Sequence, residues 1–318
     1  MKRLGVYLDE RLAAYGFGDD HPFNNHRFDA FKQAFLKKKL ESKVHLLKGK
    51  SCLREELESF HSSDFIDFVI KKSQTGEGYL DYGDTPAFKG VYEASCLVVG
   101  SALDAVDKIM NGEIDQAFIP IAGLHHGYPN SVAGFCVFND CGVAIKVLEN
   151  KYNLKKIAYV DIDVHHGDGV YYAFEEDPCL IYGDIHQSPL YPGSGEYYER
   201  GKGPGHGLKL NISLFPGSGD DAFMQAFQTI FDFVSKHEPE FVILQCGADS
   251  LKDDPLASLA YSPKAHFHAA KSLTTLVHDL GHKRLLALGG GGYNLENIGK
   301  AWTAVIEGIL QSSADHRA

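Results

Sequence analysis

Apolar residues gather in eight short β-branched runs: Leu4 to Leu8, Val44 to Leu47, Ala117 to Ile121, Ile157 to Ile162, Leu180 to Ile185, Leu208 to Leu214, Phe241 to Cys246 and Leu285 to Leu288. Short continuous runs bounded by turn residues predict strands buried on both faces. Between them the apolar positions step by three or four, as in Phe28, Phe31, Phe35, then Phe223, Phe227, Ile230, Val234, then Leu295, Ile298, Trp302, Val305, Ile309. That spacing predicts helices with one buried face. Strands alternating with helices predict an α/β fold with a mostly parallel sheet covered on both sides. Asp220, just before the second helical pattern, is the expected N-cap. Two polar or Gly-rich stretches, 74–90 and 193–207, read as long loops, which usually shape a site. With no repeat or linker in view, residues 1–318 are expected to form a single domain.

Composition narrows the choice of partner. Thirty-one basic against 42 acidic residues give a formal charge of −11, a field that repels phosphate backbones and favours cationic partners. Direct nucleic-acid binding is therefore not expected. The N-terminal MKRLGVYLDERL has too short an apolar stretch for a signal-peptide core, and no later run could span a bilayer, so a cytoplasmic protein with no membrane partner is expected. Cys52, Cys96, Cys136, Cys141, Cys179 and Cys246 show no paired spacing, which suits reduced thiols and excludes a zinc ribbon.

In open parallel sheets, ligands bind beyond the carboxyl ends of the strands. Several of the runs end in chemistry there: GLHHG with His125 and His126, DIDVHHGDG from Asp161 to Gly169, Asp184 and His186, GADS with Asp249, and GGGGYN with Tyr293. Strand alternation would place Asp161, Asp163 and His165 on one face, with Ile162 and Val164 on the other. Two carboxylates and an imidazole side by side call for a cation, and Asp/His ligation suits a catalytic zinc with an open position. Asp249, from another strand, is the candidate third ligand. Each piece alone has an ordinary explanation: a DxDxH can be a hydrogen-bonded cluster, a His pair incidental, a Gly run a tight turn. Their joint placement after separate strands points to a site.

The blocks HPFNNHR (21–27), GLHHGYPNSVAGFCVFND (123–140), YVDIDVHHGDG (159–169), QCGADSLKDDPL (245–256) and LGGGGYN (288–294) resemble, in order and spacing, the signature of the histone deacetylase family. The resemblance runs from residue 15 to residue 305 and is nearest to the class I type and its bacterial acetoin-utilization relatives. It implies the arginase-like α/β fold, with an eight-stranded, mostly parallel sheet and a narrow tunnel to one zinc ion, for which iron(II) could substitute. It makes Asp163, His165 and Asp249 the metal ligands, pairs His125 with Asp161 and His126 with Asp168, and gives Tyr293 the substrate carbonyl. Gly134, Phe135 and Tyr191 would line the tunnel, Leu256 and the acid Asp84 would stand at its rim, and Arg27 would lie in an internal channel.

The implied reaction is hydrolysis of acetyl-lysine, or a related acyl-lysine, in a protein or peptide to free lysine and acetate. A monovalent cation such as potassium is also implied, but family members usually carry serine where this chain has Asp184 and threonine where it has Asp177. An acetylpolyamine amidohydrolase acting on small acetylated amines shares the chemistry, but polyamine-selecting relatives carry glutamate at the position of Leu256. An arginase-like dimanganese ureohydrolase fits poorly with Tyr293, and a non-catalytic acyl-lysine binder has no need of both histidines, three ligands and the tyrosine.

Overall fold

The computed structural model of the chain describes residues 3–316. All eight expected strands form: β1 (Leu4–Tyr7), β2 (His45–Leu47), β3 (Gln116–Ile119), β4 (Ile157–Asp161), β5 (Leu180–Gln187), β6 (Lys209–Leu214), β7 (Phe241–Gln245) and β8 (Leu285–Leu288). They make one sheet in the order β2-β1-β3-β8-β7-β4-β5-β6, and every neighbouring pair is parallel. Parallel neighbours require crossovers, and the crossover helices cover the sheet, so β3, β4, β7 and β8 are buried along their whole length. Edge strand β2 is exposed. This is the arginase-like α/β architecture that the sequence implies. The order sets β3, β8, β7 and β4 side by side, so their C-terminal loops meet.

The periodic segments become α1 (His26–Lys37), α7 (Asp220–Ser235) and α9 (Leu295–Asp315). Trp302 of α9 is fully buried, packs its ring 5.8 Å from that of Phe31 and 6.1 Å from that of Phe118, and donates its indole N–H to Gly289 O at 2.9 Å. One side chain thus ties α1 and α9 to the sheet and to the turn after β8. The chain also forms α2 (Arg54–Leu57), α3 (Ser63–Thr75), α4 (Val91–Met110), α5 (Asp140–Asn150), α6 (Asp168–Ala173) and α8 (Pro263–Asp279). The helix α4 shows why periodicity passes over some of these: it is buried on nearly all sides, from Val91 through Ile109, and buried small residues such as Ser95, Gly100 and Ser101 blur its apolar stripe. Among the described residues, no helix is long and apolar enough to cross a membrane.

The expected N-cap at Asp220 is not what forms. Gly219 occupies that position and Asp220 is the first helical residue. Its carboxylate is drawn away by Ser262, whose N–H and hydroxyl donate to it at 2.7 and 2.6 Å, so it joins the N-termini of α7 and α8 rather than capping its own helix. Asp220→Ala should therefore destabilise the protein by about 1–2 kcal/mol. A Ser262→Ala, Asp220→Ala double-mutant cycle in urea should show coupling between the two; strict additivity would refute the link.

Candidate active site

The strand β4 ends at Asp161, so Asp163 and His165 lie in the loop beyond it and not on a strand face. The alternation expected from sequence is replaced by a curl. Asp161 Oδ1 accepts from Asp163 N at 3.1 Å and Asp163 Oδ1 from His165 N at 3.0 Å. Asp163 and His165 thereby turn toward Asp249, in the short 3-10 turn Ala248–Ser250 after β7, while Asp161 turns to His125. One candidate ligand atom each from Asp163, His165 and Asp249 lies within 4.8 Å of the others, and all three residues are buried. His165 Nδ1 is 3.1 Å from Asp163 Oδ1 and 3.4 Å from Asp249 Oδ2.

The remaining lone pairs show what the cluster is built for. Asp163 Oδ2 accepts from Gln245 Nε2 and from Gly291 N, both at 2.9 Å, and Asp249 Oδ1 accepts from Val164 N at 3.2 Å. Asp249 Oδ2 is buried with no hydrogen-bond partner. Such an atom is costly unless a cation meets it. Burial, with the Asp163 charge adding to it, pushes Asp249 up to about 7. Burial alone would lower His165, but the hydrogen bond to Asp163 and the closeness of the Asp163 and Asp249 carboxylates overcome it and raise the imidazole to about 10. The cluster thus demands a positive charge at its centre, from a proton or a metal. Two carboxylate oxygens and one imidazole nitrogen with an unpartnered lone pair suit a divalent ion of the zinc type.

Beside it, the GLHHG loop after β3 is fixed from below. Asp140 accepts from the N–H groups of Gly123 and Leu124, each at 2.8 Å, and the Asn139 amide donates to His125 O and Gly127 O. The adjacent histidines then reach separate acids. His125 Nδ1 lies 2.7 Å from Asp161 Oδ2, and His126 Nδ1 lies 2.6 Å from Asp168 Oδ1. Tyr159 and Tyr128 hydroxyls donate to the same two carboxylates, at 2.7 Å each. The two Nε2 atoms are 3.2 Å apart, so at most one proton fits between them. Burial would lower His125, but the Asp161 and Asp163 charges raise it to about 10. Burial and the His125 charge push His126 down to about 4. Both imidazoles carrying a charge is therefore disfavoured, and the opposite shifts make His126 the more readily neutral of the two.

Access is narrow. An inner cavity of about 10 Å³, lined by His125, His126, Gly134, Asp163 and Tyr293 among others, has room for about one water. An outer vestibule of about 500 Å³ is walled by Asp81, Asp84, Tyr128, Gly134 and Tyr191 among others. Gly134 belongs to both: it has a φ of 53°, and a Cβ there would collide with the His126 ring. Phe135, also left-handed with a φ of 65°, is held by the buried Tyr15 hydroxyl, which donates to its carbonyl at 2.7 Å. The Phe135 ring sits edge-on to Tyr293 at 5.8 Å, and Tyr191 sits edge-on to His126 at 5.2 Å. Arg27 is wholly buried under the Gly-rich turn and donates to Gly292 O at 2.8 Å and Gly290 O at 2.6 Å, with its guanidinium 3.8 Å above the Phe23 ring. Leu256 is exposed, and neither it nor Phe135 lines either cavity.

Several residues that hold the site were given no role from the sequence, although Gln245 and Asp254 lie within the block QCGADSLKDDPL. Asp254, buried in the loop after β7, accepts from Tyr293 N at 2.8 Å and Asn294 N at 3.3 Å and so sets the tyrosine's backbone. Gln245 bridges Gly123 O and Asp163. Asp81 accepts from the N–H groups of Gly83, Asp84 and Thr85 and from the Thr85 hydroxyl, winding the rim loop around its carboxylate. Asp84 stands exposed on that loop, and partial desolvation together with the Asp81 carboxyl raises it to about 6. An acid followed by Gly and Thr is an Asx-turn signal, the one clue that could have found Asp81.

The two positions marked for a monovalent cation are surrounded by protein donors. Asp184 accepts from Gly167 N at 2.9 Å and the Tyr182 hydroxyl at 2.6 Å and lies 2.7 Å from His186 Nδ1. Asp177, Glu149 and Cys179 form a second group of close ligand atoms, but Lys146 Nζ already meets Glu149 at 2.8 Å and Asp177 at 3.2 Å.

A buried acid–histidine centre below an outer vestibule, on an arginase-like sheet, is the arrangement of a class of hydrolase. Residues 21–309 match the histone deacetylase domain, and the chain belongs to the histone deacetylase family. The acetoin utilization protein AcuC of Bacillus subtilis (strain 168) is 34% identical over 308 residues, spanning 92% of this chain and 78% of that protein. AcuC of Staphylococcus xylosus is 31% identical over 317 residues, spanning 96% of this chain and 82% of that one. The crystal structure of the HDA15 HD domain superposes with a TM-score of 0.89 at 28% identity, covering 98% of this chain and 89% of that one.

The rim loop gives a test that needs no substrate. Asp81→Ala removes the centre of the turn, so limited proteolysis within residues 76–90 should accelerate about tenfold while urea unfolding of the whole chain moves little. Unchanged cleavage would mean the loop is held by something other than Asp81.

Proposed function

We propose that the chain is a single-domain, zinc-dependent deacetylase that hydrolyses acetyl-lysine, or a related acyl-lysine, in a peptide or protein to lysine and acetate, with iron(II) the alternative metal. The observation that carries the metal is the buried, partnerless Asp249 oxygen beside Asp163 and His165. Family membership supports deacetylation, and the six free cysteines suit a reducing cytoplasm.

Asp163, His165 and Asp249 would hold the ion, which when bound supplies Lewis acidity toward the amide carbonyl and toward an attacking water. The residues around it divide the proton work. His126, neutral and fixed by Asp168, accepts the proton of the attacking water and delivers it to the departing amine. His125, cationic against Asp161, adds positive charge to the cavity where the oxyanion grows. Tyr293 lines that cavity, and burial raises its hydroxyl pKa further, so it stays protonated and donates to the same oxyanion. Gly134 and Tyr191 wall the vestibule, with the Phe135 ring against Tyr293, and would admit a slim aliphatic stem, while Asp84 would accept hydrogen bonds from a peptide backbone at the rim.

A peptide is favoured over a polyamine because the narrow passage has an acid only at its rim, and a second ammonium in the passage would be buried without a partner. The deciding experiment compares specificity constants on zinc-reconstituted protein for an acetyl-lysine peptide, acetylputrescine and acetylspermidine. A higher constant for the peptide is expected; a preference for either polyamine makes the protein an acetylpolyamine amidohydrolase, and no turnover of any of them leaves a binder.

Tyr293→Phe should lower kcat roughly 100- to 1,000-fold, the usual effect of losing one oxyanion donor, with KM changed much less. Near-normal kcat would remove the tyrosine from the chemistry. A base acts only when neutral, so the rate must climb as pH rises through the His126 pKa. Because burial and His125 push that pKa below its ordinary 6.5, the acid limb belongs below pH 6.5. The residual activity of His126→Ala should lack this limb, and an unchanged pH profile would assign the base elsewhere.

A further inference from the structure

Lys209, the first residue of β6, is fully buried. Lysine is almost never buried to that degree without a partner, because its ammonium is strongly hydrated. Its partners here are main-chain oxygens: Nζ lies 2.9 Å from Asp177 O and 2.6 Å from Leu180 O, at the two ends of the turn that enters β5. The nearby carboxylates of Asp177 and Glu149 already have a counter-charge in Lys146, which bridges them. Two cations are therefore present with separate tasks, Lys146 on the carboxylates and Lys209 on the carbonyls. Burial lowers Lys209 to about 8, with Asp177 and Glu149 opposing the shift, so it is charged at neutral pH.

Convergent main-chain carbonyls are the donors proteins use for potassium, and an ammonium matches that ion in charge and size. The family resemblance places a monovalent cation at the turn of Asp177, and the donors present do not fit that expectation, since the chain fills the position itself. We propose that the Lys209 ammonium is the resident cation of the Asp177–Leu180 turn, tethered to β6, and that this chain binds no potassium there. A tethered cation is present at every salt concentration. It fixes the segment between α6, whose Asp168 holds His126, and β5, whose Asp184 lies opposite Asp161 in the sheet.

The test reads melting temperature, not turnover, and so stands apart from the catalytic reading. Wild type, Lys209→Ala and Lys209→Met are melted in potassium chloride and in choline chloride at equal ionic strength. Lys209→Ala opens the carbonyls to solvent, and its potassium-over-choline gain in Tm should exceed that of wild type by about 2 °C or more and saturate with potassium. Lys209→Met fills the space without charge and should melt lower in both salts by the same amount. A potassium gain in Lys209→Ala no larger than that of wild type would overturn the proposal. Should that variant not fold, rubidium-soaked wild-type crystals decide. An anomalous peak at the Asp177 and Leu180 carbonyls refutes the tethered cation, and its absence there, with Lys209 Nζ in hydrogen-bond reach of both, supports it.

Discussion

Asp161, Asp163, Asp168, Asp184 and Asp249 gather at the carboxyl edge of one parallel sheet, none more than 3% exposed. Unpaired carboxylates removed from water cost several kcal/mol each, more than a domain can spare several times over. The surrounding structure answers that negative charge. Main-chain N–H groups of Asp163, Val164, His165, Gly167 and Gly291 point at carboxylate oxygens, and tyrosine hydroxyls from β4 and β5 do the same. The imidazoles of His125, His126, His165 and His186 each sit against one of the five. The second oxygen of Asp249 accepts no hydrogen bond and has only His165 Nδ1, at 3.4 Å, beside it, so it is the point of the cluster that calls for further positive charge.

The same constraint explains the backbone. Loops that bring carboxylates together without side chains intervening must pass close to them. A Cβ at Gly291 would run into Asp249, and Gly134 yields its side-chain volume to His126. The Gly-rich turn exposes carbonyls inward, and Arg27 meets two of them from the other side. The buried guanidinium is therefore a support for the turn that carries Tyr293 as well as a positive charge beneath the site.

At two positions, one in this cluster and one outside it, the chain departs from what the resemblance implies. Where relatives are expected to carry neutral hydroxyls, it has Asp184 and Asp177, and each has acquired local partners: Tyr182, Gly167 and His186 for one, Lys146 for the other. A buried or half-buried acid is tolerable only with a donor or cation beside it, and both acids have one. At the rim the acids meet solvent, and there Asp81 spends its carboxylate on folding its own loop while Asp84 remains outward.

The apolar runs determined the eight strands and their parallel pairing, because burial on both faces leaves a continuous hydrophobic record in the chain itself. The residues of the centre were also legible: Asp163 and His165 within one motif, Asp249 by its place after another strand, and the His125–His126 pair with its acids by resemblance. Local periodicity reports only how each segment is buried, and it failed where burial was uniform, as in α4, or where a partner lay far off in sequence, as for Asp220 and Ser262. Which imidazole is charged, which carboxylate oxygen lacks a partner, and that a lysine of β6 turns inward onto the carbonyls before β5 are matters of three-dimensional neighbours. They follow from the strand order that brings β3, β8, β7 and β4 together and sets β6 beside β5, and from the low-dielectric surroundings in which their loops meet.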